Sequence, residues 1–166
     1  MEDAIYEAMA WLEASPLAEM LRGLGVWTYG VLNLAHILGI SVLFGAIVVL
    51  DLRLLGAWRS IPAAAITRPT VPLAAIGFLL AAASGIMMLS FNTTEYHGNP
   101  FFYIKFPVIA LGLVNVAVIS RLPAWRRARA GQPAEPNDRI VLRFAGAASL
   151  LTWLTVITCG RMIGYW

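Results

Sequence analysis

Along most of this chain the apolar residues neither alternate nor recur at short intervals; they run on. Four stretches, at about residues 26–50, 71–89, 101–119 and 141–163, are almost continuously apolar. Each is near the roughly 20 residues that a helix needs to cross a hydrocarbon core about 30 Å thick. Backbone groups in lipid have to be hydrogen-bonded within the segment, and the runs lack the two-residue alternation of barrel strands, so they predict transmembrane helices. Ahead of them, over about residues 1–22, the pattern changes. Ile5, Met9, Leu12, Leu17 and Met20 recur at near-helical spacing among Glu2, Asp3, Glu7, Glu13 and Glu19, which predicts an amphipathic helix lying in the outer membrane interface. Ser15 followed by Pro16 predicts a restart within that segment, because serine caps a helix and proline suits its first turn. The acidic start and broken apolar pattern do not fit a signal peptide, so the first span is expected to stay in the mature protein.

The expected fold class is therefore all-α: an integral membrane four-helix bundle with an N-terminal interfacial amphipathic helix, residues 1–166 forming a single membrane domain. The connections are too short for a separate soluble domain, and no internal repeat suggests two inverted halves.

Composition sharpens this. Of 166 residues 60% are hydrophobic and 13% charged, with a mean hydropathy of +0.75, against about 45–50% and about 25% in ordinary soluble domains. Disorder, a disulfide scaffold and a nucleic-acid binder are excluded, and the single cysteine, Cys159, has no partner for an intramolecular disulfide. The net charge of +3 matters less than where the charges fall. Arg53, Arg59 and Arg68 lie between spans one and two; Arg121, Arg126, Arg127, Arg129 and Arg139 lie between spans three and four, and Arg143 enters the fourth. The other side carries Arg22, Lys105 and Arg161 with six acidic residues, Glu2, Asp3, Glu7, Glu13, Glu19 and Glu95. The positive-inside rule then places both arginine-rich loops in the cytoplasm and both termini in the periplasm of a bacterial inner membrane, the loops also offering a surface to anionic lipid. Trp27, Tyr29, Phe101, Phe102, Tyr103, Tyr165 and Trp166 fall at the outer span ends, where an aromatic belt belongs.

The candidate chemistry is the set of residues that a membrane makes expensive. His36 lies seven to nine residues past Trp27 and Tyr29, about 10–14 Å deep at about 1.5 Å per residue. Tyr29, Asn33 and His36 share one helix face at i, i+4, i+7, with Gly39 and Gly45 nearby to admit another helix or a flat cofactor. His36 is either tied to a neighbouring helix by a hydrogen bond, or it is a metal or haem ligand or a proton carrier. Lys105 opens the third span; it either snorkels outwards or faces inwards, where a neutral amine could ligate iron or share a ligand site with His36. Asn115, three turns deeper, defaults to an interhelical hydrogen bond. Arg161, near the outer end of span four, could pair with lipid phosphate, with Glu95 or with a cofactor carboxylate. The Ser149, Thr152, Thr155 and Thr158 hydroxyls can bond their own helix. Gly77, Ala81 and Gly85 form a small-residue face for close helix packing, followed by Met87 and Met88. His97, in the loop over residues 91–100, is expected at the surface as a reserve ligand. Asp51 and Arg53, near the end of span one, read as a structural pin for the next helix. No nucleotide loop, nucleophile elbow, zinc-protease helix or CxxC pair occurs.

The strings His36-Ile37-Leu38-Gly39 to Asp51-Leu52-Arg53-Leu54-Leu55-Gly56, Asn99-Pro100-Phe101 with Lys105 and Asn115, and Ser149-Leu150, Trp153 and Gly160-Arg161 resemble an uncharacterised family of four-helix bacterial inner-membrane proteins. More distantly, the first-span histidine after Leu34-Ala35 and the later lysine followed by an asparagine are similar to the membrane domain of copper-resistance protein D and to HemJ-type protoporphyrinogen oxidases. In the latter group the matching histidine and lysine are essential and associated with haem b, which carries over to His36 and Lys105. These readings lead to one expectation with two alternatives. The first is a haem b-binding protein passing electrons to or from quinone or a periplasmic partner, an oxidoreductase or a subunit of one. There His36 and Lys105 (His97 in reserve) are the ligands, Arg161 meets a propionate, and Asn33 and Asn115 line the site. The first alternative is copper handling through His36, Met87, Met88, Cys159 and Met162. The second is a cofactor-free accessory subunit, as a homo-oligomer or within a larger membrane complex.

Overall fold

A computed structural model describes residues 2–166, apart from the side chain of Glu2, which was counted among the outer acidic residues and lies outside the described residues. It is all-helical, with no strand among the described residues. The helices are α1 (Glu2–Glu13), α2 (Pro16–Gly23), α3 (Thr28–Leu55), α4 (Ala63–Leu89), α5 (Pro100–Arg121), α6 (Pro123–Ala130) and α7 (Asp138–Met162), with 3₁₀ turns at Thr93–Tyr96 and Ile163–Tyr165. Four of them, α3, α4, α5 and α7, are long and apolar enough to cross a membrane. Only 17–28% of the most apolar window of each is buried within the protein. Val31, Leu34, Ile76, Leu79, Leu111, Phe144 and Leu151 are all more than half exposed. A surface that apolar is one for a lipid bilayer.

Two boundaries and one helix differ from what was expected, for physical reasons. α3 runs on to Leu55, so Asp51 and Arg53 are helical; Gly56, at φ 117°, stops it, with Ala57 N–H bonded to the Leu52 carbonyl at 2.9 Å and Gly56 N–H to that of Arg53 at 3.2 Å, a glycine C-cap. α4 begins at Ala63 rather than near residue 71 and passes through Pro69 and Pro72. Proline removes a backbone donor, and near the two prolines the Thr67 and Thr70 hydroxyls donate to the carbonyls of Ala64 and Ile66 at 3.5 and 2.7 Å. The third is α6, a helix in what reads as a charged loop; it starts on Pro123 and ends on Gly131 at φ 69°.

The chain divides into two compact units. The first comprises the chain to Val42 and Ile76–Asn99. Within it α3 and α4 approach at Gly39, where a Cβ would stand 2.6 Å from the Ala81 nitrogen and 3.0 Å from the Gly77 carbonyl, the close packing expected of the Gly77, Ala81 and Gly85 face. Ser15 caps α2 as expected, its Oγ accepting from Ala18 N–H at 3.3 Å. Met9, Ala18 and Leu21 are buried while Trp11, Met20 and Trp27 stay exposed. Two side chains anchor α1 and α2. Arg22 donates to the carbonyls of Glu13 (2.9 Å), Phe91 (3.4 Å) and Ser90 (3.5 Å). Glu13 Oε2 accepts from the Thr94 N–H at 3.0 Å and hydroxyl at 2.8 Å.

Those Thr94 bonds, the backbone one first, hold the Glu13 carboxyl below its usual value of 4.5. The stabilisation is therefore complete above the unfolded value of 4.5 and is lost as pH falls through the lowered folded value. Hydrogen-exchange protection of residues 2–23 is expected to fall below about pH 4; in Glu13→Gln it should be lower at neutral pH and lack that acid step.

The second unit comprises Leu43–Ala75 and Pro100–Trp166. α5 and α7 pack closely, Gly112 leaving room for the Trp153 ring, whose carbons lie 3.2 Å from a would-be Cβ. Gly146 does the same for α3, facing Leu54 Cβ at 3.1 Å and the Asp51 carbonyl at 3.2 Å. Leu54, Ile119, Ala124, Trp125 and Leu142 form a buried apolar cluster. Arg127 closes α6 onto α7 with a two-pronged pair to Asp138 at 2.6 and 2.8 Å and a further contact to Glu135 at 3.0 Å.

Candidate functional site around His36

His36 is half-buried on α3 in the first unit. Its Nδ1 lies 2.8 Å from the Ala81 carbonyl oxygen and 3.3 Å from Ser84 Oγ. A carbonyl oxygen only accepts, so Nδ1 carries the proton and donates. The Ser84 hydroxyl already donates to the Leu80 carbonyl at 2.6 Å, leaving its oxygen to accept as well. In the neutral ring this places the lone pair on Nε2. Gly85 makes this seat possible: a Cβ there would stand 2.9 Å from His36 Cε1 and 3.2 Å from Nδ1. The small-residue face of α4 thus does two jobs, helix approach at Ala81 and Gly77 and a berth for the imidazole at Gly85.

The rest of the stripe is less engaged. Asn33 is half-buried on α3. Tyr29 stacks edge-on against Phe91 at 5.5 Å and hydrogen-bonds Tyr96. Burial first, then Tyr29 and Glu95, push the Tyr96 phenol above its usual value, keeping it neutral.

His97 is not the surface histidine expected. It is half-buried, edge-on to the Tyr6 ring of α1 at 5.4 Å, and its buried Nε2 has no hydrogen-bond partner among the described residues. The 3₁₀ turn over Thr93–Tyr96, held by Glu13, tucks the loop against α1.

The remaining expected site residues lie in the second unit, where each is described with its neighbours. Lys105 turns inwards rather than snorkelling: Nζ is 3.5 Å from the point a Gly160 Cβ would occupy, and it lies close to Cys159. Asn115 makes its default bond, Nδ2 donating to the Ala145 carbonyl on α7 at 3.2 Å. Arg161 is exposed and engages Tyr165 four residues on, by a hydrogen bond to the phenol oxygen and by its guanidinium 4.4 Å from the ring centroid. Gly45 has nothing within 4 Å of its would-be Cβ. No group of three or more His, Cys, Asp or Glu among the described residues could hold a metal ion.

Asp51 is more buried than its reading as a helix-end pin implies. It is 3% exposed, lies beside the Ser149 side chain of α7, and its Oδ2 has no partner among the described residues. The sequence signal was present, a carboxyl four residues inside the end of an apolar span, but it was read as terminal because α3 was expected to stop sooner.

A family of unknown function, DUF6644, matches residues 8–166. The chain belongs to DUF6644. No curated protein and no solved structure matches it, so neither the copper-resistance protein D domain nor the HemJ-type oxidases are among the matches. For this DUF6644 protein, any function has to be argued from its own residues, and His36 is the strongest of them.

Proposed function

We propose that this DUF6644 protein is a haem b protein of the bacterial inner membrane, with His36 as the residue that would hold the haem iron, and that it passes electrons to or from quinone or a periplasmic partner. The observation that carries the reading is the 2.8 Å contact between His36 Nδ1 and the Ala81 carbonyl. Histidines that ligate metals donate their other ring N–H to a carbonyl or carboxylate, which orients the ring and raises its basicity. Here that donation directs the lone pair to Nε2, and a half-buried imidazole in an apolar span is by default a functional residue. Bound there, a haem would supply one-electron chemistry. Ala81, Ser84 and Gly85 hold the imidazole in one orientation, and the apolar helices exclude water. The arginine asymmetry supports a cytoplasmic location for the 57–62 and 122–137 connections and periplasmic termini.

Asn115 and Arg161 have structural partners in the second unit, so the proposal rests on His36 rather than on the wider set of expected residues. The test is the haem content of the full-length protein expressed with ample haem, measured as pyridine haemochrome. Near-stoichiometric haem b in wild type is expected. A cofactor-free or copper-only preparation overturns the reading, in favour of an accessory subunit or a copper protein respectively.

A further inference from the structure

The second unit contains a cavity of about 310 Å³ unconnected with the haem reading, bordered by Arg53, Arg59, Arg127, Arg139 and Arg143. These five come from the end of α3, the following turn, α6 and the start of α7. Leu54, Ala124 and Leu142, members of the buried apolar cluster, supply a non-polar floor.

One carboxylate, Asp138, lines the cavity, and it is committed to Arg127, which also takes Glu135. Arg53 donates to the Ile61 carbonyl at 2.9 and 3.1 Å, and Arg59 to that of Gly56 at 3.2 Å. Among the described residues no carboxylate pairs with Arg53, Arg59, Arg139 or Arg143. Two of these cations are also held close together. The point where a Gly56 Cβ would stand is 3.0 Å from Arg59 Nη2 and 3.5 Å from Arg143 Nη2, so the missing side chain lets both guanidiniums converge. Like charges gathered without a counter-charge repel, and an anion between them turns that repulsion into attraction. Guanidinium forks over an apolar floor match a phosphate oxygen set with a carbon substituent.

We propose that this cavity binds a phosphate group, borne either by an anionic lipid headgroup or by a soluble phosphate. The topological role of the arginines asks only for charge on one side of the membrane; a binding role asks for these particular arginines, and that difference is measurable.

The experiment uses the delipidated full-length protein in neutral detergent. Native mass spectrometry follows phosphatidylglycerol, with phosphatidylcholine as the zwitterionic control, and calorimetry follows inorganic pyrophosphate. Saturable one-to-one binding in the lipid arm assigns a lipid source and in the calorimetric arm a soluble one; either supports the proposal. The double variant Arg59→Gln/Arg143→Gln is expected to weaken the interaction at least about tenfold. Arg121→Gln/Arg126→Gln, equal in charge but outside the cavity, should stay within about twofold. Arg59→Lys/Arg143→Lys, which keeps the charge and loses the forks, should fall between them and checks that the loss is not one of folding. The proposal is overturned if wild type binds neither probe above the control, or if both glutamine pairs weaken binding equally.

Discussion

Replacing Gly39 by leucine is expected to unfold or rearrange the first unit, and even Gly39→Ala should lower its stability by about 3 kcal/mol, the upper end of overpacking costs. A Cβ at Gly39 would meet backbone, the Ala81 nitrogen at 2.6 Å and Cα at 3.0 Å, and backbone cannot swing aside as the tip of a side chain can. The two helices would have to separate, and with them the His36 Nδ1 bond to the Ala81 carbonyl. Gly45 provides the control on the same helix. Nothing lies within 4 Å of its would-be Cβ, so Gly45→Ala should be within about 1 kcal/mol of wild type, on the stabilising side through helix propensity. Thermal unfolding in detergent, followed by circular dichroism, separates the two. Similar melting temperatures for both variants would contradict the close approach of α3 and α4.

Asp51 carries the second large effect. Its carboxyl is buried in a membrane-spanning helix, where charge and polarity are costly, with the Ser149 side chain beside it. Ser149→Ala removes the neighbouring hydroxyl that can hydrogen-bond this carboxyl and should cost about 1–3 kcal/mol. Asp51→Asn keeps the shape and removes the ionisable group, so it should be near neutral or stabilising. In the double variant the Ser149 substitution should cost less than it does alone, and a double-mutant cycle measures that difference. Equal costs in both backgrounds would show that the two side chains do not interact.

The four spans were legible because unbroken apolar runs of that length have few other solutions in a helix-forming chain. Their ends were less so. α4 starts eight residues before its apolar run and passes through Pro69 and Pro72, although an interior proline lacks a donor and crowds the carbonyl four residues back. The residues of α6 are too charged to register as a buried element, although Pro123 and Gly131 bracket the segment with the start and stop signals of a helix. At the candidate site, His36 was identifiable because a histidine stands out in an apolar run. Its partner was not, because a backbone carbonyl such as that of Ala81 leaves no mark in a sequence. The Glu13 contact with Thr94 joins residues 81 apart, beyond the reach of any periodicity. His97 sits in a loop yet is covered, because Tyr6 packs on it from a helix about ninety residues earlier in the chain, a contact that no local pattern announces.

Imidazole rescue tests most directly whether His36 is a ligand. Wild-type protein expressed with ample haem should show a Soret band that sharpens and shifts on reduction with dithionite. His36→Gly should lose that band, and added imidazole, filling the space left by the side chain, should restore it. A wild-type spectrum without a Soret band, or a His36→Gly spectrum identical to wild type, would contradict the assignment.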